Sequence, residues 1–138
     1  MHATAGQRIG IALAFFEACA FGIVAALHLG WSPTLAGVAF SAPFLYAAAI
    51  VEGILGLALL LAVLLPGDGA VRAGRVLAAQ ILAIIGIFVT QLALLRGALL
   101  GLAREEVFHA VALVLALASL ALVASPVTRT ARMTHNRA

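Results

Sequence analysis

The chain has 138 residues, 65% of them hydrophobic and only 9% charged, where a soluble domain runs near 45–50% apolar and about 25% charged. That balance excludes an ordinary soluble domain, a disordered tail and a typical nucleic-acid binder, and it points to a single domain whose solvent is lipid. The formal charge of +3 rests on eight basic residues, all Arg and all outside the long apolar runs, so they read as topology signals before ligand contacts.

Arg8 leads into a first apolar run, Ile9–Gly30, of 22 residues. Small residues recur in it at every fourth position: Gly10, Ala14, Ala18, Gly22 and Ala26. Such a row lets backbones approach closely and serves either intramolecular packing or a homo-oligomer seam. Glu17 and His28 lie eleven residues apart, three turns, and share a face with Phe21 and Val24. Cys19 stands alone, which excludes an intrachain disulfide, and its apolar surroundings predict an inert buried thiol. Ala18-Cys19-Ala20 has the small-x-small form of a signal-peptide cleavage site. Glu17 directly before it, and an apolar run unbroken to Leu29, argue for a retained span.

The segment Trp31–Pro43, bracketed by Ser32-Pro33 and Ala42-Pro43, holds Leu35, Val38 and Phe40. It is too apolar for a freely solvated linker and reads as an interfacial or re-entrant piece. The second run, Phe44–Leu65, carries Glu52 among Ala49, Gly53 and Gly56. Pro66-Gly67-Asp68-Gly69 is a strong turn signal. The third run, Val76–Leu95, carries Gln80 and Gln91 on one face with Ile84 and Ile87. Glu105-Glu106 open the fourth run, Val107–Ser125, as acids suited to a helix N-terminus. His109 lies near its start, and Pro126 is expected to close it. The three later runs have 22, 20 and 19 residues. All four match the roughly 20 that cross a ~30 Å hydrocarbon core, and none shows the alternation of barrel strands. Helices satisfy the backbone within lipid. The prediction is an all-α, four-helix transmembrane bundle with antiparallel, up-down neighbours.

Arg8, Arg72, Arg75, Arg129, Arg132 and Arg137 would share one side, and Arg96 and Arg104 the other. Six against two places the N and C termini in the cytoplasm of a multi-pass inner-membrane (cytoplasmic-membrane) protein. Trp31 and Tyr46 then lie at the outer interface as an aromatic belt. His2 and His135 fall in the tails.

Ionisable groups near the centre of a span cost at least ~2.5–3.5 kcal/mol and are functional candidates by default. At ~1.5 Å per residue, His28 and His109 lie within ~3 Å of the outer ends of their spans, Gln91 ~6 Å and Glu52 ~12 Å below theirs, and Glu17 ~12 Å above its inner end. If their faces point inward, His28, Glu52, Gln91, His109 and Glu17 line a polar column open to the outer side. Four readings fit such a column: an interhelical hydrogen-bond network, a pocket for a lipophilic small molecule such as a quinone, a proton or small-solute path, or haem or metal ligation by His28 and His109. No phosphate loop, nucleophile elbow or H-E-x-x-H motif is present, so no catalytic residue is assigned and the reading leans away from an enzyme. The expected partners are the lipid bilayer and membrane proteins or further copies of the chain; nucleic acid is not among them.

Arg8-Ile9-Gly10 leading into the first span, the run Val51-Glu52-Gly53-Ile54-Leu55-Gly56-Leu57-Ala58-Leu59-Leu60-Leu61, and the Arg72–Arg75 turn before a Gly-containing third helix together resemble the DoxX-like group of small four-helix bacterial membrane proteins. The resemblance covers most of the chain as architecture. It implies an association with membrane redox or stress systems and a place for Glu52 as the acidic residue before the small-residue segment of the second helix. The polar loop expected after the first helix is replaced here by the apolar segment from Trp31.

Overall fold

The structure, a computed structural model, describes residues 4–42, 45–95 and 103–135, with side chains through 92 and from 107 to 124. Its elements in chain order are α1 (Ala5–His28), β1 (Thr34–Leu35), β2 (Val38–Ala39), α2 (Tyr46–Leu64), α3 (Gly69–Leu95) and α4 (Ala103–His135). Among the described residues, four helices are long and apolar enough to cross a membrane: Ala5–His28, Tyr46–Leu64, Gly69–Leu92 and Val107–Ala124. Each packs on its sequence neighbours, and α1 also packs on α4, which closes the ring; α1 and α3 meet only slightly across it. His2, Pro43, Phe44, Arg96 and Arg137 lie outside the described residues, as do the side chains of Arg104, Glu105 and Glu106.

The buried positions show why these sequences pack as they do. On α1 they are Gly10, Ala14, Glu17, Ala18, Phe21, Ala25 and His28, and on α2 Ala49, Glu52, Leu55, Gly56, Leu59 and Ala62. His109, Ala112, Ala116, Ser119 and Val123 do the same on α4. These are steps of three and four, the signature of one helix face turned to a shared seam. Small residues set the distance between helices. A Cβ on Gly10 would stand 2.6 Å from Val123 Cγ2 and 3.0 Å from the Ser119 carbonyl oxygen of α4, and one on Gly56 would stand 3.1 Å from the Ala18 carbonyl oxygen of α1. The row of small residues in α1 is therefore largely an intramolecular seam. A strict step of four drifts off a 3.6-residue helix, so a Cβ on Gly22 would point into open space, with nothing within 4 Å.

Several boundaries differ from the expectation. α1 starts at Ala5 because Thr4 and Gln7 form a reciprocal capping box. α3 starts at Gly69, seven residues before Val76, because Asp68 Oδ1 accepts from the N–H groups of Ala70 and Val71. Arg72 and Arg75 thus belong to the first turns of a helix. α4 does not close at Pro126 but runs to His135; one proline removes one bond of the ladder, and the helix continues on both sides of it. Cys19 is exposed, not buried as its apolar neighbours implied. It lies two residues from inward-facing Glu17, which turns it about 200° away on the helix.

The apolar segment after α1 is a small β-hairpin pairing Thr34 with Ala39 and Leu35 with Val38. Ala36 (φ 48°) and Gly37 (φ 80°) form its turn; two successive left-handed residues match the twist of the strands. The link returns to the bundle through the Leu45 N–H, which donates to the His28 carbonyl over 3.1 Å.

Candidate functional site

Three of the five candidate residues meet near the His28 end of the bundle. His28 is the last residue of α1, Glu52 stands six residues into α2, and His109 six residues into α4. Each occupies an inward position of its helix, so closing the ring brings the three side chains together. His28 Nε2 lies 3.7 Å from Glu52 Oε2, and His109 Nε2 lies 3.9 Å from Glu52 Oε1. One carboxylate therefore faces an imidazole on each side, with one oxygen toward each. The residues are 2%, 4% and 5% exposed for His28, Glu52 and His109. Both histidines are turned into the protein.

Both separations exceed the ~3.2 Å upper range of an N–H···O bond. The three helices bring the groups together without locking those two contacts at bonding length. His109 Nδ1 is also buried with no hydrogen-bond partner. Its ring tilts against Phe108 at a centroid distance of 5.5 Å, and Phe108 meets Phe21 of α1 edge-on at 6.0 Å. Aromatic surface thus adjoins the His109 side of the cluster.

The other two candidates are placed elsewhere. Glu17 lies three turns of α1 away from His28, a rise of about 16 Å, and pairs with Gln80 of α3, whose Nε2 donates to Glu17 Oε2 over 2.8 Å. Gln91 is only partly buried. It is Gln80 that α3 turns fully into the interior. Ser119 is a buried polar residue the sequence did not single out; its hydroxyl donates to the Gly10 carbonyl over 2.8 Å and ties α4 to α1. Its signal was its step of ten from His109 on a helix whose inward positions recur by three and four.

Among the described residues, no three His, Cys, Asp or Glu side chains are grouped to hold a metal ion. Haem ligation would need both imidazoles on one iron; here the ring nitrogen of each lies near an oxygen of Glu52. What the arrangement offers is hydrogen bonding and proton exchange: two donor-acceptor rings around one acid.

Comparison with protein-family models, with curated proteins and with solved structures finds no match. The resemblance to the DoxX-like group therefore stands as one of layout, and membership is not supported.

Proposed function

We propose that this small multi-pass membrane protein binds a lipophilic hydroxyl or carbonyl compound, such as a quinone, at the His28–Glu52–His109 cluster. In this reading the protein lies in the inner membrane with both termini cytoplasmic, and the cluster faces the outer leaflet. One observation carries it: imidazoles from two helices face the two oxygens of one buried carboxylate at 3.7 and 3.9 Å. An oxygen atom seated beside either gap reaches both the ring nitrogen and the carboxylate at about 2.8 Å. A hydroxyl suits that position best, since it accepts from the imidazole and donates to the acid. In this reading apolar helix faces supply the remaining contacts to a lipid-soluble molecule. An association with membrane redox or stress systems, which the DoxX-like layout implies, is compatible with a quinone-like ligand.

The test is extraction. Wild type and Glu52→Gln are purified in mild detergent, and their lipophilic compounds are compared by mass and absorbance. We expect a hydroxyl- or carbonyl-bearing compound enriched with the wild type and lost from an equally monodisperse Glu52→Gln protein. Equal recovery from both, or no enriched compound, overturns the reading.

A further inference from the structure

The turn between α2 and α3 is built around an arginine. Arg75 Nη2 donates to the Leu65 carbonyl over 2.7 Å and to the Pro66 carbonyl over 3.2 Å. A Cβ on Gly67 would stand 2.8 Å from that same nitrogen and 3.1 Å from Val71 Cγ1. The absence of a side chain at Gly67 is therefore what lets the guanidinium and Val71 close over the turn. Arg72 lies three residues before Arg75 and shares its side of α3. The bonds to Leu65 and Pro66 fix where the Arg75 charge sits, about one helical turn from Arg72.

Among the described residues these two cations have no carboxylate partner: the ion pairs there are those of Glu52 with His28 and His109. Asp68, the acid of this turn, directs its Oδ1 to the N–H groups of Ala70 and Val71. Arg72 Nε and Arg75 Nε are covered with no hydrogen-bond partner, although both residues are partly exposed. A charged donor that has lost water without gaining an acceptor is costly. An anion against the open Nη groups offsets that cost through charge-assisted bonds, and guanidinium forks match phosphate oxygens in particular. The surface beside them is apolar: Leu64, Leu65 and Val71 are 61%, 44% and 54% exposed. Phosphate donors bordered by uncovered aliphatic side chains suit a phospholipid better than a free anion.

We propose that Arg72 and Arg75 form a binding site for the phosphate of an anionic glycerophospholipid, whose acyl chains lie against Leu64, Leu65 and Val71. Arg75 is the fixed member, held by the two carbonyls of the turn, and Arg72 completes the grip from the preceding turn of α3. Net charge provides the selectivity. A zwitterionic lipid brings a quaternary ammonium beside its phosphate, and two guanidinium groups disfavour it. The site lies about 20 Å along α2 from Glu52. It needs no ligand at the His28–Glu52–His109 cluster, so a negative extraction result there leaves it standing.

The test offers the full chain, purified in mild detergent, equal amounts of phosphatidylglycerol and phosphatidylcholine, and counts the retained lipid by native mass spectrometry. Wild type is expected to keep phosphatidylglycerol in preference. Arg72→Gln should lower that retention about fivefold, the usual effect of one basic residue on an anionic lipid, while Arg8→Gln, which removes the same charge from α1, should leave it unchanged. Gly67→Ala is a second, independent variant: it only pushes the end of the Arg75 side chain aside, and it should lower retention as well. Glycerophosphoglycerol, the same headgroup without acyl chains, should not displace the lipid at equal concentration. Equal retention of the two lipids by wild type, unchanged retention in Arg72→Gln and Gly67→Ala, or an equal fall in Arg8→Gln overturns the proposal. Displacement by glycerophosphoglycerol overturns it too, since the site would then take a free phosphate ester.

Discussion

The Oδ1 atom of Asp68 accepts from the N–H groups of Val71 and Ala70, each over 2.9 Å. These two bonds, the one to Val71 foremost, hold its carboxyl below the usual carboxylate range. The folded-state value is thus lower than the unfolded one. The stabilisation is present above the unfolded value and is lost as pH falls through the folded one. Asn caps a helix nearly as well as Asp but does not titrate. Thermal unfolding of wild type and Asp68→Asn in detergent should therefore show a wild-type advantage near neutral pH that disappears on the acid side. An advantage independent of pH would remove the charge from this account. The turn itself was legible in Pro66-Gly67-Asp68-Gly69. The cap was not read from it, because the third span was judged from where hydropathy rises, and the helix begins where its N–H groups find an acceptor.

At the scale of elements, the seams are set by close backbone approach. Gly10 lets α1 and α4 touch where Ser119 bonds to its carbonyl. A Cβ there meets a backbone oxygen as well as a side chain, so the contact cannot be relieved by one rotamer change. Gly10→Val should destabilise the protein by ~1–3 kcal/mol, the usual cost of overpacking. Gly22→Ala, into open space, is the control. Denaturant titration in mixed micelles reads the difference, and equal midpoints for the two variants would show that this seam is not tight. Arg75 illustrates a role hidden behind a topology count. Its Nη2 donates to the Leu65 carbonyl over 2.7 Å and the Pro66 carbonyl over 3.2 Å, which places a positive charge at the C-terminal end of α2, where it is favoured. The four spans and their inward faces were legible because lipid demands long apolar helices and packing demands steps of three and four. Pairings across the bundle were not. Glu17 and Gln80 are 63 residues apart, and only the closed ring of helices brings them together. The hairpin was missed for a local reason: Ala36-Gly37 lacks the Asn-Gly or Asp-Gly signal that usually marks such a turn.

For the whole molecule, the distribution of charge and aromatic surface along the bundle axis gives the two ends different characters. From Leu29 through Val51 the chain has no charged residue, and Trp31, Leu35, Val38, Phe40 and Tyr46 are all exposed there. Arg8, Arg72 and Arg75 cluster toward the opposite end, at the start of α1 and of α3. Arg retained on one side of a membrane marks the cytoplasmic face, and exposed aromatic rings favour the headgroup boundary. The expected placement therefore has the hairpin outside and Ala5 inside. Cys19 is exposed, so Cys19→Ala is the background for thiol labelling. In intact cells a membrane-impermeant thiol reagent should modify Thr34→Cys in the hairpin directly, and should modify Ala5→Cys only after the membrane is opened. The reverse pattern would turn the molecule over and move the His28–Glu52–His109 cluster to the cytoplasmic leaflet. Labelling of both positions in intact cells would mean that the chain inserts in two orientations. Either result would refute the Arg count as the determinant of orientation, while leaving the packing of the four helices unchanged.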